Sequence, residues 1–197
     1  MNSASLRTLA ASVCMTALVS CNSQETLSIP SLRENLSELE EAASLWNSAA
    51  YLADAELPIP GGEHGPWLVS ASFNSPTEQF QSLLVFLQEN GTVNTEIIPH
   101  TVPVVQVEPI EANDWKLDSQ EALEIALDEE GIRFLEEHPG AGCSSLTLVR
   151  IGLEPGSPVV WRLVLSDCLG PGVGQTTEID ATTGEVLSRE THRPPAP

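Results

Sequence analysis

Basic residues are scarce in this chain: eight Lys plus Arg stand against 28 Asp plus Glu, a formal charge of −20 over 197 residues. Lys116 is the single lysine. With no basic run to displace counterions from phosphates, such a polyanion is a poor partner for nucleic acid or for anionic membrane surfaces. No Gly-rich loop precedes a helix, so nucleotide binding has nothing to rest on. His-Glu-x-x-His, Gly-x-Ser-x-Gly and Cys-His nucleophile patterns are also missing, and no cofactor or metal is expected. His64, His100, His138 and His192 lie in Gly- or Pro-rich surroundings and read as surface residues. What the chain does have is 41% hydrophobic residues, enough to build a core despite the charge.

A long hydrophobic run is missing as well. The apolar stretch from Leu9 to Val19, behind Arg7, is too short for a permanent membrane helix and reads as a secretory signal over residues 1–20. It ends in Leu18-Val19-Ser20-Cys21, which resembles the bacterial lipobox. That resemblance implies lipidation of the Cys21 thiol and cleavage ahead of it, leaving a lipid-anchored protein of the cell envelope. More than one acyl chain is needed for stable anchoring, and the lipoprotein modification supplies them. Asn22, where family sorting rules associate Asp with inner-membrane retention, implies the outer membrane in a Gram-negative host, facing the periplasm or the surface. Residues 21–33 read as a tether, and 192–197 as a Pro-rich tail.

Between these ends the pattern is α+β. Leu39, Ala42, Trp46, Ala49 and Ala53 recur at three- and four-residue steps, predicting a helix from about 36 to 56. Alternation predicts strands at 67–73, 80–88 and 92–98, with Asn90-Gly91 as a type I′ hairpin turn. The order then recurs. Asp118 and Glu121 fit a capping box ahead of a second helix bearing Ala122, Leu123, Ile125, Ala126 and Leu127, which Gly131 or His138-Pro139 ends. Strands follow at 145–153, 159–166 and 176–180, with a last turn through Thr183-Gly184 into 185–187. Trp67 precedes Gly91 by 24 residues and Trp161 precedes Gly184 by 23, suggesting a tandem repeat with a period of roughly 94 residues. The expected units are 34–100 and 117–191, each a helix on an antiparallel sheet, joined by a connector over 101–116 whose valines could add a strand.

The second unit carries DSQEALEIALDEEG, LTLVRIGLEPGSPVVWRLVLSD and TEIDATTGEVL, and it resembles the PepSY domain, with a cystatin-like helix-on-sheet layout. Ala122, Ala126, Trp161, Ile179, Asp180, Gly184 and Val186 occupy that pattern's places. The first unit lacks the Asp-Ala pair and matches less closely. For the last hairpin the residues have a structural role: Gly184 supplies a left-handed position, Asp180 can accept turn amides, and Ile179 and Val186 point into the sheet. Asp180 and Glu185 lack the spacing of a calcium loop.

Cys14 leaves with the signal and Cys21 is lipidated, so Cys143 and Cys168 remain to form a disulfide in an oxidising compartment. With Pro155-Gly156 as a two-residue loop they would face each other directly, and a bulge would break that register. Acid pairs such as Glu40-Glu41, Glu129-Glu130 and Glu136-Glu137 diverge on a helix and read as solvated faces. Trp46, Trp67, Trp115 and Trp161 suit core packing, or else a ligand cleft. Val149, Ile151, Val160 and Val164 make one sheet face unusually apolar, so it is expected to bury against the first unit or to meet a partner. The functional expectation is a non-catalytic module that binds a protein or peptide in the envelope. The PepSY resemblance implies restraint of an extracytoplasmic peptidase. The alternative is a binding protein for a small apolar or lipidic ligand held between helix and sheet.

Overall fold

The computed structural model describes residues 28–59, 67–138, 143–166 and 172–193, without the side chains of Trp67 and Cys143. The signal segment, Cys21, His64, Cys168 and residues 194–197 lie outside the described residues. Helix α1 (Leu32–Trp46) precedes strands β1 (Tyr51–Pro58), β2 (Trp67–Asn74), β3 (Gln81–Gln88) and β4 (Val93–Pro99). Helices α2 (Ser119–Ala126) and α3 (Glu129–Glu137) precede β5 (Cys143–Arg150), β6 (Val159–Ser166), β7 (Gly174–Asp180) and β8 (Val186–His192). All eight strands form one antiparallel sheet in the order β4-β3-β2-β1-β5-β6-β7-β8. Each half of that order is a meander, and the halves meet where β1 pairs with β5.

One row of inward side chains crosses the seam without a break. Ala71, Ala55, Leu148, Trp161 and Ile179 are successive cross-strand neighbours, all essentially buried, and they share one core with Leu32, Leu39, Ala122 and Leu123 from the helices. The two helical layers are also joined. Ser31 Oγ donates to Asp118 Oδ2, the Leu32 amide donates to Ser119 Oγ at 3.1 Å, and Ser119 Oγ donates to Pro30 O at 2.6 Å. Asp118 still caps its own helix, with Glu121 closing the expected capping box.

The long helix expected over 36–56 ends at Trp46. Asn47 turns extended, its Oδ1 accepts the Ala49 amide at 2.8 Å, and Tyr51–Pro58 then runs as β1 between β2 and β5. Alanine spacing mimics a helix, but pairing with two neighbouring strands outweighs the high helical propensity of Ala, Leu and Glu in this segment. Helix α1 also starts inside the stretch read as tether: Ile29 and Leu32 are buried, so the chain joins the body from Ile29 onward. The second helix breaks in two because Asp128 caps α3, its Oδ1 accepting the Glu130 and Gly131 amides.

Two turns depart from expectation. Gly91 has φ +77° while Asn90 does not enter the left-handed region, and Gln88 N–H bonds Thr92 O across a three-residue loop. This is a type I turn with a glycine bulge rather than type I′. At Pro155-Gly156 the expected tight turn forms, with the Ser157 amide on Glu154 O at 3.1 Å. Gly152, at φ +98°, and Leu153 then bulge out, so Ile151 N–H meets Pro158 O and Cys143 lies opposite Ser166. The direct opposition of Cys143 and Cys168 is thereby lost from the register; their covalent pairing falls outside the described residues.

Residues 101–116 add no strand. They strap one end of the sheet, through Val104 N–H to Gln79 O, Ile110 N–H to Leu52 O and Thr182 Oγ to Asp114 O. Arg150, its side chain only 6% exposed, fixes the strap by an ion pair to Asp114 at 2.7 Å and a hydrogen bond to Pro109 O at 2.8 Å.

The valine face does not bury against the first half, because the halves join edge to edge rather than face to face. Val160 is enclosed, while Val149, Ile151 and Val164 are half-buried on the face opposite the helices, beside Asp54, Arg162 and Glu178.

Candidate functional site

The apolar stripe Leu32, Leu36, Leu39 and Ala43 seats α1 on the sheet, chiefly over β3. A second apolar line, Ala42, Leu45 and Trp46, lies to one side of that stripe. Facing it are Val93, Thr95 and Ile97 of β4, whose cross-strand partners Leu87, Val85 and Leu83 lie in the core. Because β4 is the edge strand, its inward row extends past the helix. The result is a groove of about 730 Å³ walled by α1 and β4, floored by Leu83 and closed at one end by Gly91. Leu45 is 85% exposed and Ile97 51%, so the walls are open to solvent rather than an enclosed chamber. Glu38 and Glu41 line the helix side, and among the described residues no cation lines the groove.

Sequence reasoning did not find this groove. Two signals could have shown it: Leu45 lies off the buried stripe, and β4 alternates Val93, Thr95, Ile97 against Asn94, Glu96, Ile98.

The residues of the PepSY-like pattern lie elsewhere and build the core. Ala122, Ala126, Trp161 and Ile179 are buried, and Trp161 Nε1 donates to Leu117 O at 3.0 Å while its ring meets Trp115 edge-on. Asp180 Oδ1 accepts the Thr182 and Thr183 amides at 2.9 and 2.7 Å. Burial works against its charge, but these amide bonds hold the carboxyl below its ordinary value. Gly184 has φ +77°, and a Cβ there would sit 3.3 Å from Ile125 and Leu117. Val186 departs from expectation: it is 40% exposed at the sheet edge rather than directed into the core. Of the tryptophans, Trp115 and Trp161 are core and Trp46 lines the groove.

One histidine has a polar partner that the sequence did not disclose. His100 Nε2 lies 3.0 Å from Ser82 Oγ, and Ser82 Oγ donates to Asn74 Oδ1 at 2.8 Å. A hydroxyl has one proton, so where Asn74 accepts it, His100 donates. Among the described residues, no group of three or more His, Cys, Asp or Glu side chains could hold a metal ion. No described helix is long and apolar enough to cross a membrane.

No protein-family model and no curated protein matches this sequence. The fold does have a solved counterpart. The crystal structure of a candidate lipoprotein from Clostridium difficile 630 is similar over 86% of this chain and 97% of its own, with a TM-score of 0.53 and 12% sequence identity. At that identity the likeness concerns the fold alone.

Proposed function

We propose that this protein is a lipid-anchored, non-catalytic envelope module whose α1–β4 groove receives an extended segment of a partner protein. The observation that carries this reading is an open apolar groove bordering a free sheet edge. An added strand can pair with exposed backbone, and alternate side chains can then enter the groove. Glu38 and Glu41 suit a segment that alternates apolar and basic residues. The exposure of Leu45 and Ile97 favours a macromolecular occupant over a small lipidic one, which would need enclosure.

The anchor reading rests on the lipobox-like Leu18-Val19-Ser20-Cys21, and the fold shared with a candidate lipoprotein supports it. Cys21→Ala should abolish detergent-phase partitioning; equal partitioning of both forms would refute the anchor. The four-strand meander in each half supports a tandem arrangement of PepSY-like units, and by that resemblance an extracytoplasmic peptidase is the proposed partner class. The test is site-specific photo-crosslinking in the native envelope, with the crosslinker at position 45 and, as control, at Ser188 on β8. Adducts to a defined segment of an envelope protein from position 45 alone support the reading, and a peptidase among them supports the finer one. Equal adducts from both positions, or adducts to lipid alone, overturn it.

A further inference from the structure

The few cations are distributed unevenly. Arg150, Arg162 and Arg189 are held in ion pairs, and Arg33 lies 4.3 Å over the Trp115 ring while donating to the Trp115 carbonyl. Arg133 reaches only Glu130, at 4.0 Å, and Arg193 has no ion pair among the described residues. These two arginines line one pocket of about 300 Å³ between α3 and β7–β8. Arg189 stands in its wall but is already committed to Asp128 and Glu130, at 2.8 and 2.9 Å. Phe134, 5% exposed and tilted against the His138 ring at 4.7 Å, adds an apolar surface.

A second observation points into the same pocket. Gln175 lines it, is only 7% exposed, and its Oε1 has no hydrogen-bond partner among the described residues. Buried amide oxygens are almost always satisfied, because leaving one unpaired forfeits its hydration without return. An orphan acceptor beside one loosely paired and one unpaired guanidinium group is what a site lacking its ligand would show.

We propose that this pocket binds a small oxyanion, carboxylate or phosphate, that carries a neighbouring N–H or O–H donor. Arg133 and Arg193 would hold the anion, and the adjacent donor would satisfy Gln175 Oε1. The volume limits the bound group to about the size of an amino acid or a monosaccharide. Glu137, also in the wall, would oppose a second negative group. This site lies at the end of the sheet away from the α1–β4 groove and does not depend on the reading given for that groove.

The test is amide-resolved NMR titration of the intact folded protein with N-acetylglycine, glucuronate and inorganic phosphate, against neutral N-acetylglycinamide. The proposal expects saturable shifts in α3 and β7–β8 for an anionic probe and none for the neutral one. The probe that saturates first identifies the source, whether peptide-like, sugar acid or phosphate. Arg133→Gln with Arg193→Gln should weaken binding by roughly tenfold or more. Gln175→Met should weaken the probes that carry a donor without lowering the melting temperature, because it removes an unpaired polar group. The absence of a saturable shift for every anionic probe would overturn the proposal. So would undiminished binding in the double arginine variant, or a Gln175→Met variant that loses stability and keeps its affinity.

Discussion

At the β4 end of the sheet a single unbroken helix packs chiefly over β3 and leaves the inward row of β4 uncovered. At the β8 end the helical layer breaks after Leu127, and its second piece is tied to the edge strand by Arg189, which bonds Asp128 and Glu130. The strand order is the same in both halves, yet the surfaces differ: an apolar groove with two glutamates at one end, a polar pocket with three arginines and two glutamates at the other. The break is the cause. Asp128 caps α3 and accepts Arg189 with the same carboxylate oxygen, so the residue that interrupts the helix also binds it to β8. Helix α1 has no such break, and Leu45 and Trp46 face β4 across open space. Equal topology therefore leaves room for unequal binding surfaces, decided by where a helix stops.

The most damaging change expected is Trp161→Ala, which empties a fully buried site beside Trp115 and removes the bond to Leu117 O; about 3–5 kcal/mol of stability should be lost. Since the core row crosses the β1–β5 seam, denaturant unfolding followed by tryptophan fluorescence and by circular dichroism should give one shared transition. Two separated transitions would mean that the halves are independent bodies. Arg189→Leu comes next. It breaks a pair whose arginine is 13% exposed but whose carboxylates are half-exposed, and about 1–2 kcal/mol is expected after solvent screening.

That variant also has a pH signature. Burial disfavours the Asp128 charge, but the Arg189 guanidinium and the Gly131 and Glu130 amides hold its carboxyl below the ordinary value. A carboxyl lowered in the folded state contributes stability above its unfolded pKa, and that contribution is lost as pH falls through the folded value. From about pH 4 downward, wild type should therefore lose more stability than Arg189→Leu does. Parallel curves would contradict the pairing. The smallest stability effect belongs to Leu45→Glu, within about 0.5 kcal/mol of wild type because the side chain is 85% exposed. Co-purification of the groove's partner from the envelope should nevertheless be lost.

Much of the second half was legible in the sequence. Val159–Ser166 is the strand expected, the capping box at Asp118 and Glu121 forms, and Asp180 takes the turn amides assigned to it. Those features are local, and local hydrogen bonds leave marks at fixed spacing. The first half was harder because β1 is held between β2 and the distant β5, and Ala49 ahead of it and Ala53 within it happened to continue the helical spacing of α1. The two-residue bulge at Gly152-Leu153 likewise has no marker beyond one glycine, yet it moves Ser166 opposite Cys143. The groove was missed for a related reason. Periodicity gives the face that a helix buries, whereas the opening depends on how far α1 reaches across an edge strand, which only the assembled sheet defines.

The central claim is that the β4 edge, and not the β8 edge, accepts an added strand. Hydrogen exchange of the whole folded protein, with and without an alternating lysine–valine heptapeptide, tests it most directly, because the two edges report side by side in one experiment. The account predicts slowed exchange of amides within 93–99 and unchanged exchange within 186–192, with the effect abolished in Leu45→Glu. Equal slowing at both edges, or none at β4, would contradict it.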